Sequence, residues 1–329
     1  YNLYVRIFSN GTTTGQNIPV YVNERPTELL SVWIVTRNHV SEISVHVFNA
    51  GFEKIASFTK PGDYAGSDLS SKARLFSIAG KHSGDLVSYH TNDFDEAWRI
   101  PGITNPNQPY FTLVHFDDED LLAGFWEGFI SRYNQSGQIV YSSENAGATI
   151  PEIVFPTGNF LVSATTQRSN VNQKWLYVNY RESGALLTTT AVDFRPYGFS
   201  PATAEKVLIF GNDKNDLFST WLYDPQSCHI SRPYEPFDLP EEPLILSEYI
   251  SGSETLLVTE NAVYQYDFEK SVNLLFEIDH AEVLRYESVS GLIWLTTQNQ
   301  VFVMDYSGNT VGTINMDTEI LNFHFHYNK

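Results

Sequence analysis

At 329 residues the chain is long enough to bury a sizeable core, and its 14% aromatic content suits strands, where Phe, Tyr and Trp pack on a pleated face. The formal charge of −19, with no clustered run of Lys and Arg, excludes a generic nucleic-acid binder, because phosphate contacts need grouped cations. One cysteine, Cys228, excludes an intrachain disulfide, a zinc ribbon and a redox CxxC pair, and no run of about 18 apolar residues offers a transmembrane helix.

In chain order, one form keeps returning: an alternating apolar run, a polar turn and a second apolar run, which is the sequence form of a β-hairpin. It occurs as LYVRIFSNGTTTGQNIPVYV, VHVFNAGFEKIASF, LVSYHTNDFDEAWRI, FISRYNQSGQIVYSS, LYVNYRESGALLTTT, WLYDPQSCHISRPY, VYQYDFEKSVNLLFEI and VFVMDYSGNTVGTINM. The residues that open these turns are Asn10, Asn49, Asn92, Asn134, Arg181, Asp224, Asp267 and Asp305, at intervals of 38 to 47 residues. That beat matches a four-stranded propeller blade. Between hairpins lie pairs of further apolar runs that supply the other strands, such as YFTLVHF with LLAGFWEG, EIVFP with NFLVSATT, and LILSEYIS with TLLVTE. No stretch of a dozen residues carries helical periodicity.

The expected fold is therefore all-β: a β-propeller of four-stranded antiparallel blades, with residues 1–329 forming one domain. Seven blades are favoured and eight are the alternative, since Asn23 to Ser41 is too short for two strands and their turns. The C-terminal run Ile320 to Tyr327 has the form of a first strand with no room to finish its blade, and Leu3 to Val22 that of a hairpin lacking its preceding strands. Pairing strands from the two ends would close the ring and remove a free edge. The stretches Lys60 to Lys72, Pro101 to Pro109 and Arg232 to Pro243 read as connections between blades.

Residues that could carry chemistry are few. Asp117, Asp118, Glu119 and Asp120 could offer oxygen ligands to a hard cation, but EF-hand spacing is absent and a solvated turn is the favoured reading. His324 and His326 alternate on the last strand and so share a face; a satisfied packing role or a polar edge face outweighs a metal pair, because no third ligand can be named. Glu127 could serve as one acid of a glycosidase pair, with no partner acid to name. Nucleophile elbows, phosphate loops and zincin motifs are absent, so no catalytic residue, metal or cofactor is expected. Asn10-Gly11-Thr12 and Asn134-Gln135-Ser136 match the glycosylation sequon but sit where turns want Asn and Ser. Cys228 falls in a hairpin turn and is read as incidental. Most of Trp33, Trp98, Trp175, Trp221 and Trp294 are expected between blades.

The repeats resemble β-propellers over nearly the whole chain. They lack the Gly-His and Trp-Asp of WD40 repeats, the paired glycines of kelch repeats, the Tyr-Val-rich quinoprotein signature and the Asp-box of sialidases. Hairpins of the form strand-D-x-x-G-strand, as at Asp305 to Gly308, resemble those of divergent propellers in bacterial envelope proteins of the Bacteroidota, often lipoproteins. That resemblance implies an extracytoplasmic binding role and carries over no catalytic residue. The chain begins at Tyr1 without an initiator Met, as expected of a processed or trimmed product, which favours export and leaves room for a lipid anchor upstream. The expected function is a non-enzymatic interaction module, a subunit or accessory factor of a cell-envelope complex at the periplasm or outer-membrane surface. Its partners would be other proteins of that complex, met by loop residues Tyr64, Tyr234, Phe237 and Trp126. The alternative is a carbohydrate-active enzyme or a glycan- or small-ligand-binding propeller.

Overall fold

The computed structural model describes residues 2–9, 12–19, 26–39, 41–82, 84–102, 110–143, 149–202, 206–232, 241–251, 254–267, 272–297 and 299–328. Every regular element among them is a strand. Strands β1 (Asn2–Ser9) and β2 (Thr12–Pro19) form a two-stranded antiparallel sheet. The rest build seven four-stranded antiparallel blades.

The first blade takes β3 (Leu29–His39), β4 (Glu42–Asn49) and β5 (Lys54–Pro61) from the N-terminal part of the chain. The second contains β6 (Gly66–Ser70), β7 (Leu75–Ala79), β8 (Leu86–His90) and β9 (Glu96–Ile100). The third contains β10 (Phe111–Asp117), β11 (Asp120–Phe125), β12 (Ile130–Tyr133) and β13 (Ile139–Ser142). The fourth contains β14 (Thr149–Thr157), β15 (Phe160–Gln167), β16 (Asn170–Tyr180) and β17 (Leu186–Val192). The fifth contains β18 (Arg195–Pro201), β19 (Val207–Asn212), β20 (Phe218–Asp224) and β21 (His229–Ser231). The sixth contains β22 (Leu246–Ser251), β23 (Glu254–Val258), β24 (Ala262–Asp267) and β25 (Val272–Glu277). The seventh contains β26 (Val283–Glu287), β27 (Leu292–Thr297), β28 (Gln300–Met304) and β29 (Thr310–Asn315). The last strand, β30 (Glu319–Tyr327), returns to the first blade as its innermost strand, giving the order β30-β3-β4-β5. First strands neighbour first strands around the axis, from β6 through β10, β14, β18, β22 and β26 to β30 and back to β6.

Ring closure thus joins a C-terminal strand to an N-terminal one, as expected. The N-terminal partner is β3, with Trp33 opposite His324 and Ile34 opposite Phe323. The hairpin opened by Asn10 lies outside the seven blades, and counting it is what raises the sequence beat toward eight. A second difference concerns Lys60 to Lys72. The sequence reads as a connection, yet it contains β6, the innermost strand of the second blade. Its residues, Gly-Ser-Asp-Leu-Ser, have almost no apolar signal because the strand faces the axis rather than a core.

Each blade is sandwiched by two others, so its middle strands are buried on both faces. They read as continuous apolar runs: all five residues of β7 and all six of β19 are buried. Among the described residues the core is accordingly divided into seven apolar clusters, one at each blade–blade interface. Trp33, Trp221 and Trp294 are buried in these clusters, whereas Trp98 and Trp175 are half-buried. Innermost strands have one edge without a strand partner, which is why they tolerate Pro151, Pro156, Pro196 and Pro201.

Candidate functional site

The seven innermost strands enclose a central cavity of about 610 Å³. Three consecutive blades shape its wall with the same device. A β-bulge leaves Thr112 of β10, Glu152 of β14 and Tyr197 of β18 outside the paired register, and all three line the cavity. A bulged residue escapes the alternation of the strand and can be aimed independently of its neighbours.

The rest of the wall is a polar belt that crosses five blades, from β10 through β6, β30 and β26 to β22. Asp68 of β6 accepts a hydrogen bond from Phe116 N (2.7 Å) and pairs with His115 Nδ1 of β10 (3.1 Å). Its other oxygen accepts from Leu69 N (2.8 Å) and stands 3.6 Å from His324 Nδ1. His324 Nε2 meets Ser67 Oγ at 2.8 Å, and Ser67 Oγ meets the Tyr64 hydroxyl at 2.9 Å. Asn322 Nδ2 donates to that hydroxyl (3.3 Å), while Asn322 Oδ1 accepts from Arg285 Nη2 (3.2 Å). Arg285 Nη1 donates to Glu248 Oε2 at 3.2 Å, completing the belt.

The electrostatics follow from these contacts. Burial would raise the Asp68 carboxyl, but the His115 hydrogen bond and charge, the nearby His324 and the Phe116 N–H outweigh it and hold Asp68 down at about 2. Burial pushes His324 down to about 4, with Asp68 opposing and Arg285 assisting. Burial also raises Glu248, with Arg285 opposing and Asp68 adding to the rise. Tyr64 is raised by burial as well. The predicted shared face of the two histidines holds: His326 is buried beside His324 on β30, with Ser31 Oγ at 3.4 Å and Thr91 Oγ1 at 3.2 Å. Both imidazoles are satisfied by hydroxyls on the innermost side of a blade.

A second depression of about 730 Å³ opens on the face where the chain enters the innermost strands. It lies over the third, fourth and fifth blades and shares Glu152 with the central cavity. Trp126 and Val171 line it together with Phe194, Arg195, Lys214 and Asp216. Lys174, buried in its floor, donates to Glu152 Oε2 (3.1 Å) and to Thr166 Oγ1.

The predicted contact residues are thus separated. Trp126 is half-buried in the surface depression, whereas Tyr64 is half-buried in the cavity wall with its hydroxyl engaged. Tyr234 and Phe237 lie outside the described residues. Glu127 sits exposed in the turn beside Trp126. The acidic run is not simply solvated. Asp117 is buried between Arg132 Nη1 (3.0 Å) and Arg181, which holds it with both Nε and Nη2. Asp120 accepts from Arg132 Nε (2.7 Å), and Asp118 and Glu119 pair with Lys72. The run ties the second, third and fourth blades together through cations that lie far away in sequence.

Sequence reading missed Ser67, Asp68, Asn322 and Arg285. The available signal was the beat itself. A strand of about five residues is required before Leu75–Ala79 to complete a blade, and Gly66–Ser70 is where it must lie.

No family model and no curated protein matches the chain. Among solved structures, a functionally unknown protein from Desulfotomaculum acetoxidans is 13% identical with a TM-score of 0.67, over 91% of this chain and all of that one. The Dos1 propeller is 15% identical with a TM-score of 0.55, over 78% of this chain and 73% of that one. A chain of the Mitotic Checkpoint Complex is 10% identical with a TM-score of 0.57, over 85% of this chain and 95% of that one. At these identities the likeness is one of fold. The chain is a divergent seven-bladed β-propeller.

Proposed function

We propose that this propeller is a non-enzymatic interaction module that receives a partner protein at the depression around Trp126. The observation that supports this is the make-up of that surface: a half-buried Trp126 and an exposed Val171 share its lining with charges of both signs, Arg195, Lys214, Asp193 and Asp216. An aromatic anchor inside a mixed polar rim is the usual anatomy of a protein interface. The cavity acids agree with a binding role, since Glu248 is tied to Arg285 and Glu152 to Lys174. The propeller in the Mitotic Checkpoint Complex is likewise part of an assembly.

The partner we propose is a component of a bacterial cell-envelope complex outside the cytoplasm. The support is the likeness of the D-x-x-G hairpins to those of envelope propellers. Affinity capture from the native source, read by mass spectrometry, tests both parts. A defined set of envelope proteins should co-purify with the wild-type chain and be depleted with Trp126→Ala. A wild-type protein that emerges alone and monodisperse, or captures the same set with Trp126→Ala, would overturn the reading.

A further inference from the structure

We infer that the central cavity is a binding site for an alkylammonium group, with Asp68 as its counter-ion and the aromatic wall of the fourth and fifth blades against its stem. The inference concerns the cavity and stands independently of docking at Trp126.

Charge is the first argument. Of the cavity carboxylates, Glu248 has Arg285 and Glu152 has Lys174, whereas Asp68 has only imidazoles and backbone N–H groups as partners among the described residues. A permanently ionised group without a permanently charged partner leaves a surplus negative charge, and the −19 chain steers cations toward it. Hydrogen-bond polarity is the second. Because the Asp68 carboxylate accepts from His115 Nδ1, Nε2 is the acceptor that the His115 ring carries in its neutral form, and its side chain is 40% exposed. Ammonium brings three donors and no acceptor, so a carboxylate beside an imidazole on the same cavity wall suits it, and suits an anion badly.

The third argument is the far wall. Phe155 and Phe199 stack there with ring centroids 6.0 Å apart, and both line the cavity with Leu113 and Val154. At the border with the outer depression, Arg195 stands 4.9 Å above the centre of the Tyr197 ring, a cation on an aromatic face next to this wall. Glu152, aimed by its bulge, borders both the cavity and the outer depression and so marks the way in. An amine on an unbranched chain fits this arrangement, as a free small amine or as a lysine side chain.

Calorimetric titration of the whole chain with pentylamine, pentan-1-ol and hexanoate tests the inference. Pentylamine should bind at one site per chain, still detectably in half-molar salt, and the alcohol and the carboxylate should not. Asp68→Asn should weaken binding by at least about tenfold, as expected for loss of a hydrogen bond to a charged group. Because Asp68 also accepts backbone hydrogen bonds, His115→Phe is the companion variant. It removes the Nε2 acceptor without touching those bonds and should also weaken binding. A parallel titration with Nα-acetyl-lysine methylamide distinguishes the sources: preference for it indicates a lysine side chain, and preference for pentylamine a free amine. Absence of pentylamine binding, equal binding of pentan-1-ol, or unchanged affinity in a folded Asp68→Asn or His115→Phe variant would overturn the inference. None of these outcomes bears on capture through Trp126.

Discussion

The buried histidines of β30 make the protein's stability depend on pH in a defined direction. His324 is 6% exposed and faces Asp68, Ser67 and the Arg285 charge, with Phe76 against its ring. Its folded value of about 4 lies below the ordinary 6.5, so the unfolded chain takes up a proton that the folded chain refuses. The stabilisation is full above 6.5 and is lost as pH falls from there toward 4, at up to about 1.4 kcal/mol per pH unit. His46, held down to about 4 by burial and by Lys54, adds a slope of the same sign over the same window. Asp68 adds a further loss only below the ordinary carboxylate value, as pH approaches 2. Thermal melts from pH 7 to 4.5 should therefore show falling stability, and His324→Gln should flatten the dependence while lowering the value at pH 7. An unchanged slope in that variant would contradict the assignment.

At the scale of the element, the D-x-x-G turns have two jobs. The first residue organises the turn: the Asp305 carboxylate accepts from Ser307 N and Asn309 N, and the Asn134 side-chain Oδ1 from Ser136 N and Gln138 N. Asn134 is thus occupied by turn chemistry, as its place in the sequence suggests. The glycine makes the contact between blades. Gly137 has φ +74°, and a Cβ there would sit 2.7 Å from the Trp98 ring on the outer strand of the preceding blade. Gly184 stands in the same relation to Tyr141, and Gly308 to Phe276. An outer-strand aromatic of one blade lies over the turn glycine of the next, which gives the repeated motif a physical cause. Gly137→Ala combines left-handed strain with this clash and should destabilise by roughly 1–3 kcal/mol. Trp98→Ala should cost stability alone, but the double variant should lose less than the sum in chemical denaturation, because the clash is gone.

The same scale shows what could be read from residues alone. Strands buried on both faces have long apolar runs, and turns have Asn, Asp and Gly, so the blades and their seven-fold repetition were legible. The cavity was not. Its wall is made by innermost strands whose polar residues face an axis instead of a core, and by bulges at Thr112, Glu152 and Tyr197 that break the alternation on which strand reading depends. Asp68 and His324 are 256 residues apart, and only ring closure brings them together. Asp117 looked like one of four solvated acids because the guanidinium of Arg181 comes from another blade.

For the whole molecule, the decisive junction is the one that no covalent bond secures. The first blade is held shut by the β30–β3 ladder and by a cluster in which Ile320 and Phe323 pack with Val32, Ile34 and Trp294. The end of β30 lies beside the start of β3: Asn328 N donates to Glu28 O at 3.2 Å, and Asn328 Nδ2 to Thr27 Oγ1 at 2.9 Å. Two antiparallel strands so placed can be joined by a tight hairpin turn. A permuted chain beginning at Asp317, passing from Asn328 through an Asn-Gly turn into Thr27 and ending at Met316 would make the closing pair a local hairpin. It should fold to the same far-ultraviolet spectrum and melt within a few degrees of the parent, since every blade keeps its four strands. A chain truncated after Thr318 has the opposite fate: β3 is left with an open inner edge and the cluster around Trp294 loses Ile320 and Phe323, so aggregation or loss of cooperative melting is expected. Should the truncated chain melt like the parent, the β30–β3 pairing would not be what closes the ring. Should the permutant fail while the parent folds, residues before Thr27 would have to contribute to the ring's stability.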